Sequence, residues 1–141
     1  LRHWRPEQID GASPMKFFRD IPNCAKPVGP YSPAVAVGEL LFCSGQIALD
    51  PSTGALVSGG IAEQTAQVLR NIESLVCGAG SSREKIVMTT IFLSDMAQWK
   101  TVNELYGRFV NSEAPPARQT VAVKDLPLGA LVEISVIARL G

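Results

Sequence analysis

The sequence predicts an α+β domain of two layers, a mixed β-sheet with two helices on one face. Two patterns lead there. Strand-length apolar runs bracket two segments of helical periodicity in the order β-β-β-α-β-α-β-β, and the closing strand alternates so that one face is wholly apolar. Composition sets the scale: 141 residues, 13 basic and 13 acidic side chains, 46% hydrophobic and 18% charged residues describe one compact domain whose core suffices without disulfides or a metal. No apolar run approaches the roughly 18 residues of a membrane span. Balanced, intermingled charge and 6% aromatic residues disfavour nucleic-acid binding.

Residues 1–14 (LRHWRPEQIDGASP) lack apolar periodicity and read as a leader or flexible extension, with Met15 as the natural start of a single domain over 15–141. A short apolar piece follows, Phe17 to Ile21, and then a loop from Pro22 to Pro33 stiffened by Pro27, Pro30 and Pro33. Ala34–Val37 and Leu40–Ser44 flank Gly38-Glu39 as a hairpin. Asp50-Pro51-Ser52-Thr53-Gly54 and Ser58-Gly59-Gly60 are turns. Ile61, Thr65, Val68, Leu69, Ile72, Leu75 and Val76 give a helix over 61–77 one buried face, and Gly78-Ala79-Gly80 stops it. Ile86 to Leu93 is β-branched and aromatic enough for a strand. Asp95 and Gln98 form a capping box opening a second helix along Met96, Trp99, Val102, Leu105, Tyr106 and Phe109, which Pro115-Pro116 ends. Strands over 117–123 and 130–140, expected as neighbouring hairpin partners, finish the chain.

Cys24, Cys43 and Cys77 are odd in number, widely spaced and without a C-x-x-C pair, which indicates a reducing, cytoplasmic setting and does not exclude an organelle. Cys43 reads as a buried hydrophobe and Cys24 as an exposed loop thiol. The sole histidine is His3, so a domain beginning at Met15 has none. That removes Ser-His-Asp triads, Cys-His pairs and histidine-ligated zinc, and no metal site is expected. Catalysis must rest on carboxylates, arginine, hydroxyls, amides and water.

In the last strand Val132, Ile134, Val136 and Ala138 share one face, and Leu131, Glu133, Ser135, Ile137 and Arg139 the other. Glu133 is out of place in so apolar a strand unless that face is wet or the carboxylate is a general base. Arg118 follows the rigid Pro115-Pro116-Ala117 and suits bidentate capture of a carboxylate, or an ordinary structural pairing. A hairpin of the two strands would bring Arg118 and Glu133 within one substrate's length. Ser44-Gly45-Gln46 offers a hydroxyl and backbone N–H groups or is simply a strand-ending turn. Asn103 is a helix amide and Trp99 and Tyr106 read as core.

Gly29-Pro30-Tyr31-Ser32, Ser44-Gly45-Gln46-Ile47, Asp50-Pro51-x-Thr53-Gly54, Gln64-Thr65, Asn71, Val102-Asn103-x-x-Tyr106, Pro116-Ala117-Arg118, Leu126-Pro127 and Glu133-Ile134 together resemble the reactive intermediate deaminase (Rid, YjgF-type) family, in order and register over residues 15–140. The resemblance implies a chorismate mutase-like fold assembled as a homotrimer, with sites in the clefts between subunits. It implies hydrolysis of 2-imino and 2-enamino acids, such as 2-iminobutyrate and 2-iminopropanoate, to 2-oxo acids and ammonia, a metabolite damage control that uses no cofactor. It casts Arg118 as carboxylate ligand, Glu133 as the group beside the attacking water, and Tyr31, Ser44, Gly45 and Asn103 as pocket residues. Thr120, also in the pocket, stands where many members carry cysteine, and Trp99 where phenylalanine is common. The alternative is a non-enzymatic trimer acting as small-carboxylate sensor, chaperone or translation regulator.

Overall fold

A computed structural model describes residues 14–141; His3 and the expected leader, apart from Pro14, lie outside the described residues. The strands are β1 (Lys16–Phe18), β2 (Ala34–Val37), β3 (Leu40–Cys43), β4 (Ile86–Leu93), β5 (Ala117–Ala122) and β6 (Val132–Arg139), and the helices α1 (Ile61–Gly78) and α2 (Trp99–Phe109). They form one sheet in the order β1-β2-β3-β6-β4-β5, with β4 and β5 parallel and the other pairs antiparallel. The order of elements matches the sequence reading.

Local chemistry explains the boundaries. Gly38, at φ +57°, takes the left-handed conformation that the β2–β3 turn requires. The Glu63 carboxylate accepts from the Gly60 N–H at 2.9 Å and satisfies one free donor at the start of α1. Asp95 accepts from the Ala97 N–H at 2.9 Å, but the turn it opens is 3₁₀ over Met96–Gln98 before α2 begins at Trp99. The expected capping box is therefore only half made: the Asp95 side chain caps the turn, and the Gln98 side chain makes no return bond to the Asp95 N–H.

One expectation fails. β5 and β6 are not hairpin partners, because β4 lies between them and pairs with both. The helical crossover through α2 obliges β5 to run parallel to β4. The 3₁₀ turn Pro127–Gly129 then belongs to a connection that passes β4 before β6 pairs antiparallel on its other side.

The core is the layer between sheet and helices: Leu41, Val68, Ile72, Leu75, Ile91, Leu93, Val102, Val132 and Ile134 are all fully buried. The opposite sheet face is uncovered and carries an apolar row beside polar residues that include Glu133, Ser135 and Gln119. Following the strand register, Phe17, Val35, Phe42, Ile137, Met88 and Ala117 make one row across all six strands. Phe17 is 47% exposed and Phe42 41%, and Val37, Leu40 and Val121 on the same face are comparably open.

Candidate functional site

The sequence-predicted residues fall into two groups. The first is built on edge strand β5 and helix α2. Arg118 pairs in register with Thr89, which is buried beneath the helices, so its side chain lies on the helix side of the sheet. Its Nη1 donates to Asn103 Oδ1 at 2.8 Å. The guanidinium carbon sits 4.6 Å from the centre of the Trp99 ring and 5.0 Å from that of Tyr106. Tyr106 is itself fixed by donating its phenol to Thr89 Oγ1 at 3.1 Å. Trp99 and Tyr106, read from sequence as core, therefore also shape the arginine's surroundings. Burial pushes the Tyr106 phenol up, opposed by the Thr89 hydrogen bond and the Arg118 charge.

What matters chemically is that the described ion pairs, Arg83–Glu73 and Arg83–Glu84, leave Arg118 without a carboxylate. A guanidinium stacked on two rings and steadied by one amide keeps donors free in a planar fork, the geometry that receives a carboxylate in two parallel hydrogen bonds. Two residues on, Thr120 lies on the same face with its hydroxyl buried and unpartnered.

The second group gathers where β3 and β6 leave the sheet's centre. Gln46 and Ile134 exchange backbone hydrogen bonds of 2.8 and 3.0 Å, which brings the chain on either side together. Glu133 lies over the exposed Gly45: a Cβ built there would stand 2.7 Å from Glu133 Oε2 and 2.8 Å from its Cδ, so a side chain at position 45 would push the carboxylate aside. Burial raises the Glu133 pKa. Ser44 donates its hydroxyl to Ser32 O at 2.7 Å and its N–H to Pro33 O at 2.9 Å, tying the proline loop down and leaving its Oγ as an acceptor. That same loop carries Tyr31, 45% exposed.

The two groups do not meet within one chain. Glu133 pairs with Phe92 and Arg118 with Thr89. Cross-strand partners share a face and Thr89 and Phe92 are an odd number of residues apart, so Arg118 and Glu133 project from opposite faces of the sheet. The expectation that both would approach one substrate from adjacent strands is corrected accordingly.

A third set entered the sequence reading only as motif positions, with no role given. Gln64 and Asn71, 4% and 7% exposed, are buried amides on α1, one stripe and two turns apart. Gln64 Oε1 accepts from the Leu131 N–H at 2.9 Å, and Asn71 Nδ2 donates to the carbonyls of Ile47 and Leu49 at 3.2 and 2.9 Å. The seven-residue spacing that puts two amides on the otherwise apolar stripe of an amphipathic helix was the available signal.

Cys24 and Cys43 are poorly suited as nucleophiles. Burial pushes the Cys43 thiol up to about 12, with Cys24 adding to it, and burial raises Cys24 as well; Cys24 packs partly against the core. Among the described residues no three His, Cys, Asp or Glu side chains are grouped to hold a metal ion, and no helix is long and apolar enough to cross a membrane.

With this geometry in view, a family model described as endoribonuclease L-PSP matches residues 22–140. The chain is 47% identical over 118 residues to a RutC family protein of Aquifex aeolicus, covering 83% of this chain and 94% of that protein. It is 43% identical over 114 residues to the human 2-iminobutanoate/2-iminopropanoate deaminase, covering 81% of this chain and 82% of that protein. Among solved structures it superposes on Escherichia coli TdcF with bound serine at a TM-score of 0.82 and 32% identity, covering 89% of this chain and all of that one.

Proposed function

The chain belongs to the endoribonuclease L-PSP family, the YjgF/Rid grouping its motifs resemble, and from that premise we propose that it hydrolyses 2-imino and 2-enamino acids to 2-oxo acids and ammonia. The carrying observation is Arg118, a cation held by Asn103, Trp99 and Tyr106 with no acidic partner among the described ion pairs. A human relative named for this activity and a structural relative holding serine, an amino acid with a free carboxylate, support the substrate class.

In this scheme Arg118 grips the substrate carboxylate and fixes the C=N carbon. Glu133 takes a proton from water as the oxygen bonds to that carbon. That proton passes to nitrogen to give the tetrahedral carbinolamine; the proton of its new hydroxyl is then relayed to nitrogen as the C–N bond breaks, so that ammonia leaves and the C=O of the 2-oxo acid forms. No electron transfer is involved and the imine carbon is already electrophilic, so the scheme calls for no cofactor and no covalent nucleophile. A carboxylate pKa raised toward the working pH suits a group that must both take and return a proton.

The site would be completed by assembly, Arg118 from one copy facing Glu133, Gly45, Ser44 and Tyr31 of the next in a homotrimer. Their placement on opposite faces of one sheet supports this, as does the apolar row from Phe17 to Ala117 that a second copy would cover. Two measurements test the reading. A dehydratase generating 2-iminobutyrate is followed by 2-oxobutyrate release with and without the protein, with faster release expected; an unchanged rate rejects the activity. Sedimentation equilibrium of residues 15–141 is expected to give a trimer, and a stable monomer rejects the shared site.

A further inference from the structure

We propose that Gln64 and Asn71 of α1 are positioning residues that set Glu133 against Gly45, an inference that rests on the water-handling role given to Glu133 above. The contact between Glu133 and Gly45 is made by two chain segments, and α1 grips each of them two residues away. Gln64 holds the N–H of Leu131, two residues before Glu133; Asn71 holds the carbonyl of Ile47, two residues after Gly45, and that of Leu49 beyond it. Between the two grips, Gln46 and Ile134 are joined by hydrogen bonds in both directions. A third amide orients the second: Gln67 Nε2 donates to Asn71 Oδ1 at 2.8 Å, which turns the Asn71 NH₂ group toward the two carbonyls.

Apolar side chains at positions 64 and 71 would fill the helix face without the cost of burying amides. Yet every hydrogen bond the two amides send off the helix goes to a segment flanking the carboxylate contact. The contact is close, because a Cβ at position 45 would stand 2.7 Å from Glu133 Oε2 and 3.1 Å from its Cγ, so where the two segments sit decides where the carboxylate can rest. Displacing either segment moves the carboxylate relative to the water it activates while leaving Arg118, on another strand and face, untouched. The signature is lower kcat with KM retained.

A double-mutant cycle in the full chain separates this from a general structural role, using the imine assay on wild type, Asn71→Asp, Glu133→Gln and the double variant. Asn71→Asp keeps the shape but cannot donate when ionised. Its kcat should fall about tenfold, since small misplacements of a catalytic group cost rate steeply, with KM within about twofold. In the Glu133→Gln background the same change should cost nothing further, because the group it positions is gone. A full additional tenfold loss in that background, or a wild-type kcat for Asn71→Asp, overturns the proposal. If Asn71→Asp does not fold, Gln67→Met removes the orienting bond from a partly buried side chain, together with an exposed one that Gln67 Oε1 accepts from Arg70. It should lower kcat about threefold with the same non-additivity, and a wild-type kcat or an additive loss overturns the proposal equally. A wild-type rate for Glu133→Gln alone would instead strike down the catalytic role on which the inference rests.

Discussion

The arginine and glutamate regions are built in opposite ways. Arg118 stands on an exposed edge strand and is held by side chains: two rings and one amide from α2. Glu133 stands on a central strand and is placed by backbone: a glycine without a side chain beneath it, a two-way bridge at Gln46 and Ile134, and helix amides gripping main-chain groups. Side-chain holding suits a group that binds, because a long cation steadied at its tip can adjust to a ligand. Backbone holding suits a group that must meet water in one geometry. The difference teaches that binding and turnover should be separable by mutation, and each prediction below tests that separation.

The largest effect belongs to Arg118→Ala. A charge-assisted bidentate contact in a partly desolvated cleft is worth roughly 2 to 4 kcal/mol, which corresponds to about 30- to 1,000-fold in kcat/KM. Arg118→Lys should recover only part, since an ammonium is a point charge and lacks the planar fork. Steady-state kinetics on variants shown to retain the wild-type oligomeric state measure this. A wild-type kcat/KM for the alanine variant would end the role of Arg118 and the scheme built on it.

Glu133→Gln comes next and should break the other half alone. Losing a positioned acid–base group costs on the order of a hundredfold in kcat, while carboxylate binding through Arg118 persists. Calorimetric titration with 2-oxobutyrate, the expected product, should therefore give the variant wild-type affinity. Equal loss of binding and turnover would show that the two regions do not divide the work.

Asn103→Ala is a smaller disturbance of the binding half. It removes one hydrogen bond to the guanidinium but leaves both aromatic rings in place, so kcat/KM should fall about five- to tenfold, mostly through KM. A loss as large as that of Arg118→Ala would mean that the amide, and not the rings, fixes the cation.

Alternation and helical spacing made the elements legible, and the odd carboxylate in β6 drew attention to Glu133. The strand order was not legible. Whether β5 pairs with β6 or with β4 depends on the crossover through α2, a long-range choice that local periodicity does not encode. The faces of Arg118 and Glu133 followed from that order and were lost with it. Trp99 and Tyr106 read as core because aromatic residues at helical spacing usually are; Tyr106 is buried and still presents its ring to Arg118. Gln64 and Asn71 stood among the motif positions without a role, because amides in a helix default to the solvated face and the main-chain groups they bond lie in remote segments.

The smallest effect is on stability, and its sign sharpens the comparison. Burial raises the Glu133 pKa, so the folded chain holds that proton more tightly than the unfolded chain does. Below the ordinary glutamate pKa, about 4.3, both states are protonated and the group makes no difference. As pH rises past that value the unfolded chain releases its proton first, and stability is lost until the folded pKa is passed. Glu133→Gln has no such loss. Its melting temperature should exceed that of the wild type at pH 7, by no more than a few degrees, and the gap should close near pH 4. Thermal denaturation at the two pH values, each compared with the wild type at equal protein concentration, measures it. A reversed gap, with wild type the more stable at pH 7, would mean that a cation lies close enough to Glu133 to outweigh its burial. Arg118 of the same chain projects from the other face, so that cation would come from another copy, and the binding and turnover halves would stand nearer than a bound substrate allows.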